Sequence, residues 1–238
     1  MEIYCFASSS MANSYAVEIG NTKLLIETGL EYTTLRKKLI EINRMITDYN
    51  GCLVTHSHQD HFRSVKAISR YVPIYATKLT LDNEPGIIPG NKRVISEWEK
   101  VTIGDVDVYG FEINHDIEGG LGYIVKSRVS DEKLLFVTDT KSIKYDLSKV
   151  TFTEILVECN YLPELMDAND FKDKRTMNTH LSLTETISFL KTLNLTKCNG
   201  IYLIHLSDGN SDEVKMVAEV QKHTGIPTYV CGKYGGYK

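Results

Sequence analysis

The sequence has little of what marks secreted, membrane or DNA-coating proteins. Its five cysteines are odd in number and scattered and form no C-x-x-C pair, which argues against a disulfide framework or a structural zinc site. No apolar run approaches the length of a membrane span, and no basic segment followed by an apolar one opens the chain. The net charge of −4 lacks the basic excess typical of non-specific nucleic-acid binding. We therefore expect a cytoplasmic protein with no membrane segment.

The length and the patterning indicate a layered α/β protein. With 238 residues, 42% of them hydrophobic and 24% charged, the chain is suited to one large domain over residues 1–238. Short strand-like runs dominate the middle, and strands alternate with helices at both ends, as in two mixed β-sheets covered outside by helices. Apolar spacing predicts helices over 31–45, 62–71, 183–193 and 212–223. The polar stretch between Leu165 and Thr179 is predicted to be a loop or lid.

The run His56-Ser57-His58-Gln59-Asp60-His61 carries the clearest chemical signal. Three of the seven histidines fall in these six residues, directly after an apolar run. Histidine nitrogen and aspartate oxygen are common metal ligands. His56 and His58 are two residues apart and point the same way in an extended backbone, whereas Asp60 and His61 lie where the chain should turn. The run therefore predicts two neighbouring metal positions, with a chance polar turn as the alternative.

Other ligand-type residues stand at the ends of predicted strands, which is where layered α/β proteins place their sites. His115 follows the strand-like run 106–113, Asp139 follows the run 134–138, and His205 directly follows the run 201–204. His180 comes just before a predicted helix.

Taken together, these residues resemble the metallo-β-lactamase superfamily. Within it, the chain resembles the YycJ/WalJ group of small hydrolases, on the segments 6–10, 13–15, 158–160, 180–182 and 205–207. The resemblance implies a four-layer αββα sandwich, with two mixed β-sheets flanked by helices, over residues 1–238. Members of this group are regarded as nucleases, and the tRNase Z phosphodiesterases are cousins.

The resemblance also implies a role for each matched residue. His56, His58 and His115 would hold a first divalent metal, zinc or manganese. Asp60, His61 and His205 would hold a second, and Asp139 would bridge the two. Two metals about 3.5–4 Å apart can share a hydroxide and clamp both reacting oxygens of a phosphodiester.

Two of these residues are also candidates for direct roles in catalysis. Asp60 would orient the attacking nucleophile. His180 would donate to a phosphate oxygen or leaving group, which favours phosphodiesters over lactams and thioesters. A surface histidine flanking a helix is the alternative for His180.

The leading hypothesis is a two-metal phosphodiesterase that acts on nucleic acid, as a DNA exonuclease, through metal-activated hydroxide. The alternatives are a phosphodiesterase of a small substrate such as a cyclic nucleotide, a lactam or thioester hydrolase, and an inactive metal-binding scaffold. Lys172, Lys174 and Arg175 could meet substrate phosphates, or could belong to a plain solvated loop. Glu27, Ala12 and Ser64 depart from the family pattern, which usually has Asp, Gly and Gly at these positions. The oligomeric state stays open.

Overall fold

Two seven-stranded β-sheets pack face to face and form the centre of the molecule. A computed structural model describes residues 1–232 and 236–237. The strands of the first sheet are β1 (Glu2–Ser9), β2 (Ala12–Ile19), β3 (Thr22–Ile26), β4 (Gly51–Leu53), β5 (Ile74–Ala76), β6 (Lys92–Val94) and β14 (Gly236–Tyr237). Those of the second are β7 (Lys100–Ile103), β8 (Val106–Glu112), β9 (Leu121–Ser127), β10 (Lys133–Val137), β11 (Glu154–Glu158), β12 (Gly200–Ile204) and β13 (Thr228–Val230).

Both sheets are mixed. The first has the order β14-β1-β2-β3-β4-β5-β6 and becomes parallel from β3 onward. The second has the order β13-β12-β11-β10-β9-β8-β7 and is antiparallel from β7 to β10 and parallel from β10 to β13. Parallel neighbours need long crossover connections, which here carry most of the helices and the functional loops.

Helices cover the outer face of each sheet. The helices are α1 (Tyr32–Glu41), α2 (Gln59–Phe62), α3 (Val65–Ile68), α4 (Lys78–Asp82), α5 (Phe171–Thr179), α6 (Leu183–Thr192) and α7 (Glu213–Thr224). Apolar residues of α1 to α4 pack on the first sheet, and those of α6 and α7 pack on the second. The predicted four-layer αββα arrangement is confirmed.

Alternation along the strands explains why three apolar cores form. On β10, Leu134 and Phe136 face the core between the sheets, whereas Leu135 and Val137 face the core under α6 and α7. The Phe136 ring meets the Tyr15 ring of the opposite sheet edge to face, with the centroids 5.3 Å apart. A strand that is buried on both faces has a continuous apolar sequence, and Leu134–Val137 is such a run.

Two local predictions were wrong. The stretch 62–71, expected as one helix, contains only the last residue of α2 and the short helix α3, because the Ser64 N–H donates to Thr28 O at 2.9 Å and not to the preceding turn. The stretch between Leu165 and Thr179, expected as a loop or lid, contains helix α5. This helix is capped by Asp170, whose Oδ1 accepts a hydrogen bond from Asp173 N at 2.9 Å. Helix α4 was not expected at all. None of the described helices has the length and apolarity that a membrane span requires.

Candidate metal centre

Backbone turns at the ends of the strands direct the candidate ligands toward one point. Glu27 follows β3, Asp139 follows β10 and His205 follows β12, and all three have left-handed backbones with φ of 66°, 48° and 56°. Such a conformation costs a non-glycine residue on the order of 1–3 kcal/mol and tends to occur at functional sites. The backbone therefore turns sharply after each of these strands, and the side chains of Glu27, Asp139 and His205 point into the site.

The first ligand set consists of His56, His58, His115 and Asp139. His58 Nδ1 lies 3.0 Å from His56 Nε2 and 3.2 Å from His115 Nε2. Asp139 Oδ2 lies 3.7 Å and 3.6 Å from the same two Nε2 atoms. Zinc bonds of about 2.0–2.1 Å in a tetrahedron place the ligand atoms about 3.3 Å apart, so this spacing fits a metal ion.

The second ligand set consists of Asp60, His61, Asp139 and His205. His61 Nε2 lies 3.2 Å from Asp60 Oδ2 and 3.4 Å from Asp139 Oδ1. His205 Nε2 lies 3.4 Å from both of these oxygens. Asp139 thus presents Oδ2 to the first set and Oδ1 to the second. All seven residues predicted as ligands come together, and this clustering of histidine and aspartate indicates divalent-metal binding.

Each of the five ligand histidines has an oxygen beside its second ring nitrogen. For His56, His115 and His205 this contact is a hydrogen bond that fixes the tautomer, so that the other nitrogen presents a lone pair to a metal, whereas the oxygens beside His58 and His61 make no hydrogen bond to the ring. The pairs, with the distances between the atoms, are His56 Nδ1 with Thr55 Oγ1 (2.9 Å), His58 Nε2 with Asp116 Oδ1 (3.6 Å), His61 Nδ1 with Glu27 Oε1 (3.4 Å), His115 Nδ1 with Thr179 O (3.2 Å) and His205 Nδ1 with Glu158 Oε1 (3.2 Å).

Protonation differs between the two sets when no cation is bound. Burial lowers the pKa of His56 and of His58, and neighbouring histidines lower both further, so these rings are neutral and ready to bind. Burial also disfavours charge on His205, but Asp139, Asp60 and Glu158 outweigh it and raise its pKa to about 10. The second set therefore holds protons that a metal must displace.

Negative charge is concentrated around the second set. Glu27 and Glu158 are fully buried, and Asp139 is almost so. Within residues 1–232, the charged partners recorded for these groups and for Asp60 are all histidines, with no lysine or arginine among them. Buried carboxylates need a compensating charge, and a divalent cation supplies it.

His180 stands beside the second set. Its ring stacks on the His205 ring, with centroids 5.3 Å apart and planes 19° apart, and its Nδ1 lies 2.6 Å from Glu158 Oε1. Burial lowers the pKa of His180, but the charge of Glu158 and its hydrogen bond raise it more, so that the net shift is upward.

The three cationic residues predicted to contact phosphate differ in their exposure and in their partners. Lys172 and Lys174 lie exposed on α5. Arg175 donates from Nε and Nη2 to Asp116 Oδ2, at 2.9 and 2.7 Å, and so stands at the edge of the first set. A cavity of about 760 Å³ opens beside it, lined by Asn114, His115, Asp116, Glu118, Ser142 and others.

Sequence reasoning assigned no role to several residues that support the site, among them Asp116, Glu158 and Thr179. Glu158 carried a signal, because it is a carboxylate that ends the apolar run 155–157. Asp116 follows a predicted ligand directly. Thr179 acts through its backbone carbonyl, which leaves no trace in a residue pattern.

The three departures from the family pattern fit their places. The longer Glu27 side chain still reaches His61 and accepts from Thr55 N at 3.3 Å. Ala12 is buried at the start of β2. The Ser64 hydroxyl donates to Leu30 O at 2.5 Å.

Known proteins with similar sequences or folds share features of this arrangement. Residues 9–86, which include the histidine run, match the Metallo-beta-lactamase superfamily. The chain is 29% identical over 222 residues to exodeoxyribonuclease WalJ of Streptococcus pneumoniae serotype 2 (strain D39 / NCTC 7466), covering 86% of this chain and 81% of that protein. The chain is thus similar to metallo-β-lactamase superfamily proteins, and the family match covers residues 9–86.

Two further proteins are similar to this chain, one in sequence and one in fold. Exodeoxyribonuclease YycJ of Bacillus anthracis is 27% identical over 231 residues, covering 90% of this chain and 86% of that protein. The crystal structure of the metallo-β-lactamase fold protein YhfI from Bacillus subtilis superposes with a TM-score of 0.77 at 12% identity, covering 100% of this chain and 98% of that one. The predicted resemblance to the YycJ/WalJ group is confirmed, as is the prediction of an enzyme of the hydrolase class at the level of the superfamily.

Proposed function

We propose that this protein is a two-metal phosphodiesterase of the metallo-β-lactamase superfamily that hydrolyses nucleic acid, as a DNA exonuclease. The observation that carries the proposal is the pair of ligand sets that share Asp139, with His180 held beside them by Glu158. The two relatives reported above are named exodeoxyribonucleases, which supports DNA as the substrate.

We assign the metal-ligand roles as the sequence predicted them. His56, His58 and His115 hold the first ion, Asp60, His61 and His205 hold the second, and Asp139 serves both. The donor set of imidazole nitrogen and carboxylate oxygen suits zinc or manganese. When bound, two such ions supply Lewis acidity toward the phosphoryl oxygens and lower the pKa of water.

Asp60 orients the attacking water in this proposal. Its side chain is 21% exposed, whereas that of Asp139 is 3% exposed, so Asp60 is the ligand carboxylate that solvent and substrate can reach. Asn13 Nδ2 donates to Asp60 Oδ2 at 3.3 Å and helps to fix its direction. Asp60 accepts a proton of the water as the water oxygen attacks phosphorus.

His180 is the general acid. Because its Nδ1 is engaged by Glu158, its other ring nitrogen is left to face the substrate. As the new P–O bond forms, the ester P–O bond breaks, and His180 gives its proton to the leaving oxygen. Glu158 holds the ring and favours its protonated form.

The test uses protein loaded with zinc or manganese and end-labelled single-stranded DNA, double-stranded DNA and RNA. We expect stepwise shortening of DNA from one end. His180→Ala should lower kcat by about 10²–10⁴-fold. His223→Ala is the matched control, since this histidine lies on the surface of α7, and it should leave the rate unchanged. Absence of cleavage with either metal would refute the proposal.

A small phosphodiester such as a cyclic nucleotide is the second candidate substrate. The observation that favours it is the pairing of the cations around the cavity, where Arg175 is bound to Asp116 and Lys144 to Glu112. Paired cations leave little free charge for a long phosphate backbone. Turnover of cyclic nucleotides without cleavage of DNA would establish this alternative.

Two further expectations belong to the same proposal. Residues 1–238 form one domain, supported by the continuous core between the two sheets. The protein acts in the cytoplasm, supported by its five free cysteines, four of them buried.

A further inference from the structure

His58 is the least enclosed of the three histidines in the first ligand set. Its side chain is 31% exposed, whereas those of His56 and His115 are 0% and 1% exposed. The packing that fixes the other two rings is therefore weaker around His58. The charged group beside its second nitrogen is Asp116, which acts on the ring through its charge, since the 3.6 Å distance is too long for a hydrogen bond.

Asp116 divides its two oxygens between the site and a helix. Oδ1 lies 3.6 Å from His58 Nε2 and 3.2 Å from His115 Nε2. Oδ2 accepts both hydrogen bonds from Arg175. Asp116 is in neither candidate ligand set, although its Oδ1 lies beside His115 Nε2, the ring nitrogen that faces the first metal position.

Arg175 lies on α5, and this helix holds the first ligand set at two points. Besides the Arg175–Asp116 pair, the Thr179 carbonyl at its end accepts from His115 Nδ1. The helix has little apolar anchorage, because Thr179 is its buried residue and Phe171 is 84% exposed. The attachment of α5 therefore rests largely on polar contacts, two of them with the site and another from Asn210 to Asp173 at 3.0 Å.

We propose that Asp116 and Arg175 form a clasp that positions His58 for the first metal. The same clasp links binding of that metal to the structural order of helix α5. This inference rests on the proposed metal-ligand roles. Asp116 and Arg175 are positioning residues and touch neither metal nor substrate in this role. Loss of a partner behind a metal-ligating histidine typically lowers metal affinity by about 10–100-fold. Because linkage is reciprocal, zinc at the first set should also protect α5.

The test measures zinc affinity by competition with a chromogenic chelator. Asp116→Asn keeps the shape of the side chain and removes its charge, and we expect about 10–100-fold weaker binding of one of the two ions. Arg175→Gln should weaken the same ion by a smaller factor. The double variant should be no weaker than Asp116→Asn alone, because both act along one path.

Asp107 and Arg128 provide the matched control. They form an ion pair at 3.7 Å at the far edge of the second sheet. The Arg128 side chain is 53% exposed, which is similar to the 59% exposure of the Arg175 side chain. Asp107→Asn and Arg128→Gln should leave both zinc affinities unchanged. Hydrogen exchange adds a second measurement: zinc should slow the amides of 171–179 in the parent protein and much less in the Asp116 and Arg175 variants.

The outcomes separate the clasp from the proposed function. If the parent protein binds two zinc ions and neither Asp116→Asn nor Arg175→Gln changes either affinity, the clasp is refuted and the metal centre stands. If the parent protein binds no zinc or manganese, the proposed function fails and the clasp fails with it. Should Asp116→Asn not fold, Arg175→Gln, on the surface of α5, decides alone.

Discussion

Gly29 is the point at which the backbone beside the second ligand set has no room for a side chain. A Cβ added there would lie 1.6 Å from the Asp60 carbonyl oxygen and 2.8 Å from Asn13 N. Both neighbours are backbone atoms, and the segment is held by hydrogen bonds from Gly29 N to Asn13 O and from Thr28 N to His61 O. In Gly29→Ala the chain around Asp60 must therefore move by more than 1 Å, since carbon and oxygen need about 3.0–3.4 Å between them.

We expect two consequences of Gly29→Ala. Overpacking of this kind costs about 1–3 kcal/mol and occasionally more. At about 2–4 °C per kcal/mol for a chain of this size, the unfolding temperature should fall by roughly 2–12 °C. Metal analysis should show loss of the ion held with Asp60 and retention of the ion held by His56, His58 and His115.

Gly90→Ala is the matched control, because nothing lies within 4 Å of the Cβ it would add. It should be neutral or stabilising by up to about 1 kcal/mol. Scanning calorimetry and metal content of both variants make the comparison. A Gly29→Ala protein that unfolds at the parent temperature and retains both metals would refute the steric argument.

Two further predictions concern the scaffold. Arg44 holds Glu18 through two hydrogen bonds of 2.7 and 2.8 Å, which lower the pKa of Glu18. The lowered pKa means that this stabilisation is complete above the unfolded pKa of about 4.3 and is lost as the pH falls through the folded pKa. Urea unfolding should therefore show Glu18→Gln about 1–2 kcal/mol less stable than the parent at pH 7, with the gap closing as the pH falls through the folded pKa of Glu18, whereas Glu219→Gln on the surface changes little; a gap that stays the same across this pH range would contradict this. Phe136→Ala, which empties a fully buried site between the sheets, should cost about 3–5 kcal/mol in the same assay, and Val129→Ala, 64% exposed, less than about 0.5; equal losses would contradict the assignment of the core.

The ligands of the centre could be predicted from sequence because each is a polar residue at the end of an apolar strand. Asp139 and His205 stand alone after runs that read clearly as strands, and the histidine run follows another. A sheet brings such ends together whatever the loops do. Residue type and topology were enough to predict these positions.

The supporting residues could not be predicted in the same way. Asp116 has its role because Arg175, 59 residues later, meets it through a helix that lacks apolar periodicity. Ser64 interrupts a helical pattern through contacts with Thr28 and Leu30, which are distant in sequence. Contacts of this kind depend on the packed fold, and a local pattern does not record them.

The left-handed backbones of Glu27, Asp139 and His205 imply a trade-off between activity and stability. The fold accepts roughly 1–3 kcal/mol of conformational free energy at each, in addition to the cost of burying two of these groups as carboxylates. Replacing Asp139 by glycine would relax φ and remove a buried charge. The same change would leave His61 and His205, whose protonated forms Asp139 stabilises, without this partner, so the gain from relaxing φ is offset and the strained backbone is tied to the charge that it presents.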